Sequence, residues 1–118
     1  MSPNILGGVT EQAFFILTAL LSGPRHGYGI VAEVTQLSQD RVELKVGTLY
    51  GVLDRLVGDG LVVLDREEPH QGRLRRYYAI TDAGTAALAA EAERQAANAR
   101  LAARQLRAHR PATAGGAA

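Results

Sequence analysis

Three arginines stand close together past the middle of the chain. Arg73, Arg75 and Arg76 are the only charged residues between Pro69 and Ile80, when histidine is counted as neutral. A guanidinium keeps its charge at all physiological pH values, and its fork of N–H donors matches the oxygens of a phosphate. The cluster therefore predicts contact with nucleic acid. The alternative is a solvated hairpin whose charges serve solubility or block edge-to-edge pairing of strands.

A second candidate for such contact is the helix predicted from Gly47-Thr48 to Gly60. Its apolar positions repeat at helical spacing and form one face: Leu49, Val52, Leu53, Leu56 and Val57. Tyr50 lies at the edge of that face, and the opposite face carries Gly47, Thr48, Gly51, Asp54, Arg55 and Gly58. Glycine inside a helix costs about 1 kcal/mol relative to alanine. Three exposed glycines leave this face nearly without side chains. They favour a helix whose backbone approaches another molecule closely, as in the DNA major groove. The alternative is that they let other elements pack closely.

One residue of the exposed helix face does not suit phosphate contact. Asp54 carries a carboxylate, which phosphates repel. Two interpretations remain open: it accepts a hydrogen bond from a cytosine amino group, or it pairs with a basic neighbour.

The elements that must position these residues follow from periodicity and from helix start and stop signals. Helices are predicted over residues 10–22, with Thr10 as N-cap, and from His26-Gly27 to Ser38. A short strand is predicted over residues 41–46, followed by the helix that begins at Gly47. Strands over 61–64 and 74–80, joined by a turn at 68–72, form a hairpin, and a last helix covers 82–108.

This order predicts a mainly α fold with a small β hairpin: a winged helix-turn-helix plus a C-terminal dimerisation helix. The expected domains are a flexible N-terminus (1–9), a winged helix-turn-helix DNA-binding domain (10–81), a dimerisation helix (82–108) and a disordered tail (109–118). The winged core is expected to be complete by Thr81. Phe14 and Phe15 cannot both face the core of a monomer, so one is available to a partner copy. The expected dimer residues are Phe14, Phe15, Leu88, Leu101 and Leu106.

Composition bounds the remaining possibilities. The chain has 118 residues, 47% of them hydrophobic, a net charge of +1 and no cysteine, so disulfides and zinc-thiolate sites are excluded. The N-terminus does not resemble a secretory signal, and the apolar run at residues 13–21 is too short to span a bilayer, so a cytoplasmic location is expected. The three histidines are scattered and no catalytic constellation is present. No enzyme activity, metal or cofactor is expected.

Several segments taken together resemble the PadR family of bacterial transcriptional regulators. They are His26-Gly27-Tyr28-Gly29-Ile30, Gly47-Thr48-Leu49-Tyr50, Leu53 with Arg55-Leu56, Gly60-Leu61, Gly72-Arg73, Arg75-Arg76-Tyr77-Tyr78, and Thr81 with Gly84. The similarity runs from about Leu17 to Leu88. The sequence departs from the family at two positions: Gly51 stands where proline is usual, and Asp54 where a basic or neutral residue is usual. Both departures bear on which operator sequence is bound.

The resemblance implies a homodimeric repressor that binds double-stranded operator DNA at a pseudo-palindromic site and is released by a small molecule or another signal. It places the third helix in the major groove and makes the hairpin a wing. By motif match, the resemblance assigns six residues to DNA contact: Tyr28, Thr48, Tyr50, Arg55, Arg73 and Arg75. Lys45 and, on the hairpin, Arg76 are further predicted DNA contacts. For Tyr28 the alternative is an aromatic ring packed between helices. Two other functions stay open: a multidrug-type sensor with a pocket at the dimer interface, and a winged helix that binds another protein.

Overall fold

The computed structural model describes residues 9–109, which form four helices and a small antiparallel sheet. In chain order these are α1 (Glu11–Leu20), β1 (Arg25–His26), α2 (Gly27–Leu37), α3 (Val46–Gly58), β2 (Val62–His70), β3 (Arg73–Ile80) and α4 (Asp82–Ala108). The winged helix-turn-helix fold, followed by one long helix, is confirmed. Apart from Val9 and His109, the predicted flexible N-terminus and disordered tail lie outside the described residues.

Two predicted N-caps explain where α1 and α4 begin. The hydroxyl of Thr10 accepts a hydrogen bond from the backbone N–H of Ala13 at 3.1 Å. The hydroxyl of Thr81 accepts from Gly84 N–H at 3.0 Å and donates to the carbonyl of Gly60 at 2.7 Å. Each cap satisfies an N–H group that the first helical turn leaves unpaired. The second hydrogen bond of Thr81 also fixes the start of α4 against the segment between α3 and β2.

The core is aliphatic, as a chain with two phenylalanines and no tryptophan requires. It forms where the apolar faces of α1, α2 and α3 meet, and the sheet contributes Val62 and Tyr78. Phe14 and Phe15 pack only partly against it. The largest fully buried apolar side chains are Ile16, Leu17, Leu20, Ile30, Val34, Leu49, Leu53 and Val62.

The short strand predicted over residues 41–46 is wrong. Val42 and Leu44 are buried, as the alternation requires, but residues 41–45 pair with no strand and Val46 already belongs to α3. An alternation of apolar and polar residues shows that every second side chain is buried. An extended segment without a strand partner has the same alternation as a strand. The third strand is β1, which pairs with β3 and gives the sheet order β1-β3-β2.

The side chain of Ser38 supplies a hydrogen bond that a neighbouring strand would otherwise give to the segment before α3. Its side chain is fully buried, and its hydroxyl accepts a hydrogen bond from the N–H of Val42 at 3.0 Å. We expect Ser38→Ala to lower the free energy of unfolding by about 1–3 kcal/mol, because it leaves a buried N–H without a partner. Urea denaturation measures this loss. Ser22→Ala, at an exposed position, is the control and should change stability by less than about 0.5 kcal/mol.

The wing is a hairpin whose strands are longer than predicted. The turn consists of Gln71 and Gly72 alone, with φ of 53° and 81°. Two consecutive residues with positive φ suit the twist of a two-residue hairpin turn. The register shifts between Leu64 and Arg66, which leaves Asp65 as the additional residue of β2.

The first turns of α4 belong to the core, contrary to the expectation that the core is complete by Thr81. Leu88 is buried in the core of its own protomer, which corrects its assignment to a dimer interface. The buried carboxylate of Glu91 accepts hydrogen bonds from Arg94 (3.0 Å) and Gln95 (3.1 Å). Arg94, followed by Gln95 and the N–H of Val9, holds the pKa of Glu91 below its ordinary value despite burial. These contacts join Val9 to α4.

Candidate nucleic-acid interface

The helix α3 separates an apolar face from an open one. Four of the five predicted apolar residues are buried, namely Leu49, Val52, Leu53 and Leu56, whereas Val57 is 41% exposed. All six residues assigned to the opposite face are exposed. A Cβ atom built on Gly47, Gly51 or Gly58 would meet no heavy atom within 4 Å. Close packing within the described part of the protomer therefore does not account for these glycines.

The amino end of α3 leaves its backbone donors available. Lys45 is the N-cap residue, and its side chain makes no capping hydrogen bond. The N–H groups of the first turn and the nearby exposed hydroxyl of Thr48 thus face solvent, an arrangement that suits an anion.

Further along the same face, neither Asp54 nor Arg55 has a side-chain hydrogen bond or ion pair within residues 9–109. The basic neighbour considered for Asp54 is not found there.

The charged residues of the wing fall into two groups. The guanidinium of Arg76 pairs with Glu67 on β2, with 3.1 Å between Nε and Oε2. Arg66 pairs with Asp65 at 2.9 Å and Glu68 at 2.6 Å. Arg73 and Arg75 have no carboxylate partner among the described residues. The two arginines nearest the tip are therefore the better suited of the three to bind an external phosphate.

The ion pair between Arg76 and Glu67 was not predicted, although the length of the hairpin turn determines it. A two-residue turn at Gln71 and Gly72 places Glu67 directly opposite Arg76. The predicted turn over residues 68–72 was too long to give this register. Across the hairpin, Arg66 also lies 4.1 Å from the ring centre of Tyr77, a cation–π contact that fixes it further.

A cleft of about 630 Å³ separates the wing from the amino end of α2. It brings together five of the eight predicted DNA-contact residues: Tyr28, Tyr50, Arg73, Arg75 and Arg76. Tyr28 is 71% exposed, so the alternative that it packs between helices is wrong. Thr48 and Arg55 lie outside the cleft, on the open face of α3, and Lys45 is exposed at its start.

The wall of this cleft contains a close contact between α2 and α3. The hydroxyl of Tyr50 lies over Gly27, where a Cβ atom would stand 2.5 Å from its oxygen. Glycine at this position allows Tyr50 to reach across the start of α2, beside Tyr28. The sequence placed Gly27 at the start of a helix but gave no indication that Tyr50 covers it.

The sequence predicts His26 at the start of α2, within the first family motif. It is the N-cap, and its Nδ1 accepts a hydrogen bond from the backbone N–H of Gly29 at 3.2 Å. Its ring lies edge-on to Tyr77, with 5.4 Å between ring centres. Burial, followed by the charges of Arg75, His70 and Arg25, holds the pKa of His26 below its ordinary value of 6.5. Only a neutral ring can accept at Nδ1, so the cap and the lowered pKa agree.

This cap predicts a dependence of stability on pH. Because the pKa of His26 is lower in the folded than in the unfolded chain, its contribution is complete above pH 6.5 and is lost as pH falls below that value. His26→Asn retains a capping side chain without the titration. We expect urea denaturation at about pH 7.5 and pH 5.5 to show a smaller loss of stability for His26→Asn than for the wild type. His109→Asn, at an exposed position, should retain the wild-type loss.

The residues expected at a dimer interface lie in two places. Phe14 and Phe15 are partly buried on α1, with their rings edge-to-face and 5.6 Å between centres. Leu101 and Leu106 are 49% and 72% exposed on α4. Within residues 92–109 every residue is exposed except Ala103, which is half-buried. The second part of α4 therefore has no packing partner among the residues that the structure describes.

The sequence of this region places the chain in a known family. Residues 16–90, from α1 through the wing to the first turns of α4, match the family described as the transcriptional regulator PadR-like family. The chain belongs to the PadR-like family. The resemblance inferred from the motifs is confirmed, and because the family consists of transcriptional regulators, the chain is not an enzyme. Within the described residues, no helix has the length and apolar character to cross a membrane.

Individual relatives support the family fold. An uncharacterized 37.1 kDa protein in a transposon of Streptomyces fradiae is 40% identical over 86 residues, which are 73% of this chain but only 23% of that protein. A transcriptional regulator from Clostridium thermocellum has 23% identity and a TM-score of 0.67 over 88% of this chain and 95% of its own. Bacillus subtilis PadR in complex with operator DNA has 23% identity and a TM-score of 0.58, over 64% of this chain and 43% of its own.

Proposed function

We propose that this member of the PadR-like family is a repressor that binds double-stranded operator DNA as a homodimer. The observation that carries the proposal is the open face of α3, on which three glycines meet no other part of the described chain. Beside it, the cleft collects two tyrosines and two arginines without carboxylate partners in the described residues. A helix inserted in the major groove and an adjacent cationic wing use these features together. The related B. subtilis protein is solved with operator DNA.

Each proposed contact has a role set by its chemistry. Thr48 and Lys45, beside the uncapped amino end of α3, bind backbone phosphates. Arg55 contacts a phosphate or a base edge, and Arg73 enters the minor groove from the tip of the wing, with Arg75 on a flanking phosphate. Tyr28 and Tyr50 contact the sugar-phosphate backbone from the cleft. Arg76, paired with Glu67, contributes less.

The dimer accounts for the exposed part of α4. An Ala-rich helix of this length can form in water on propensity alone, but its exposed leucines would then remain in solvent, so packing against a second copy explains them better. Leu101, Leu106 and the partly buried phenylalanines of α1 supply apolar area for that contact. A two-fold dimer would bind a pseudo-palindromic site with half-sites about 34 Å apart. A small molecule that releases the protein from DNA would bind at this dimer interface. If its binding site is large and apolar, the protein is a sensor of the multidrug type.

The proposal is tested by fluorescence anisotropy with the full chain and a duplex from its own promoter region. We expect selective binding over a random duplex, with affinity falling steeply between about 50 and 200 mM salt as counterions are released. A winged helix that binds another protein instead would not distinguish the two duplexes at either salt concentration, and that outcome would refute the proposal.

Single arginine substitutions on the wing test its role. Arg73→Ala and Arg75→Ala each remove two charges from a dimer, and each should reduce the slope of log affinity against log salt by about two. Arg66→Ala is the matched control, because its guanidinium is already paired with Asp65 and Glu68. An equal change of slope for all three variants would show that the pairing pattern does not decide DNA contact.

A further inference from the structure

The centre of the open face of α3 carries a single side chain. At about 100° per residue, Gly47, Gly51, Asp54 and Gly58 fall within about 60° of one another, directly opposite the buried residues of the helix. All four are exposed, and the three glycines have open space above them. Arg55 lies to one side of this line and Tyr50 to the other. Any molecule that approaches the glycines closely therefore meets Asp54.

We propose that Asp54 is a specificity-determining residue that selects a C·G base pair in each half of the binding site. The inference rests on the proposed function and names what the centre of α3 recognises. The carboxylate has no hydrogen-bond or ion-pair partner within residues 9–109, so it is available to an external donor. On the centre line of a helix in the major groove, it is also far from both phosphate backbones, which would repel it.

The choice of base follows from the groups that the major groove displays. An ionised carboxylate only accepts hydrogen bonds. Guanine and thymine present acceptors at their major-groove edges, and adenine presents its amino donor beside an N7 acceptor. Cytosine presents an amino donor alone, which makes C·G the pair that a carboxylate tolerates best. Gly51, one turn before Asp54, provides the space in which the base edge approaches this short side chain.

The test uses the purified full chain and a library of duplexes with a random central segment, followed by competition among the four base pairs at each enriched position. We expect the wild type to prefer C·G at one position per half-site, with a loss on the order of 10-fold for other pairs. Asp54→Asn should prefer A·T there, because asparagine pairs with N6 and N7 of adenine. Asp54→Ala should distinguish the four pairs by less than about 2-fold.

Asp59→Asn is the matched control, since it removes the same charge from the exposed C-cap of α3 and should select the wild-type sequence. Equal melting temperatures establish that the variants are folded. If both Asp54 variants keep the wild-type preferences, or the wild type selects another base pair at the affected position, the Asp54 assignment is overturned while DNA binding stands. If the wild type enriches no sequence, the proposed function itself fails, and this assignment with it.

Discussion

Replacing Gly51 with leucine should lower operator affinity on the order of 100-fold or more, because the long side chain would occupy the space through which a base edge is proposed to approach Asp54. The same substitution should raise stability. Position 51 is open to solvent, with no heavy atom within 4 Å of a built Cβ, and leucine is favoured over glycine in a helix by about 0.8 kcal/mol. Fluorescence anisotropy and urea denaturation of the same samples measure the two effects.

Affinity should fall while stability rises, so a loss of binding cannot be caused by unfolding of the variant. Gly51→Ala should give a smaller loss of affinity than Gly51→Leu, with a similar gain in stability, because one methyl group fills less of the approach to the helix. If both variants are more stable and bind operator as tightly as the wild type, then α3 does not approach DNA by this face. A loss of affinity that accompanies a loss of stability would likewise contradict the open position of Gly51.

Gly84→Ala is expected to be the most destabilising of the small substitutions. A Cβ atom at Gly84 would overlap the carbonyl oxygen of Leu61 and lie 2.8 Å from a side-chain carbon of Ile80. The carbonyl belongs to the backbone and cannot rotate away, so α4 must shift from the sheet. We expect the free energy of unfolding to fall by about 2–3 kcal/mol, at the upper end of the usual cost of overpacking. Urea denaturation gives this value directly.

Gly58→Ala provides the matched control for Gly84→Ala. It makes the same chemical change near the end of α3, where a Cβ atom meets nothing within 4 Å. Its expected effect is a gain of up to about 1 kcal/mol from helix propensity. If the two substitutions change stability equally, the close approach of α4 to Leu61 does not contribute to the fold.

Most of the elements could be predicted because their signals are local. The period of Leu49, Val52, Leu53 and Leu56 indicates a helix buried on one face, and these residues are buried in α3. The threonine caps at Thr10 and Thr81 depend on groups no more than three residues away. The charge of the hairpin, the periodicity of α3 and the family motifs likewise predict the candidate DNA contacts from short stretches of sequence.

The errors concern features that depend on distant residues. The segment before α3 was predicted as a strand, but its N–H groups have no neighbouring strand, and Ser38 supplies the partner for Val42. The two-residue strand β1 is too short to give any pattern and is defined only by its pairing with β3. Leu88 was assigned to the interface together with the other leucines of α4, and only the position of α4 against α1 and the sheet makes it a core residue.

The sequence by itself determined the winged fold, the family and the residue types at the proposed interface, because periodicity, capping and motifs are encoded over short stretches of chain. Only the tertiary structure decided which of these residues are available to a partner. It paired Arg76 with Glu67, left Arg73 and Arg75 without carboxylate partners in residues 9–109, and opened the glycine face of α3 to solvent. Availability depends on which groups the folded chain brings into contact, and those groups lie far apart in sequence.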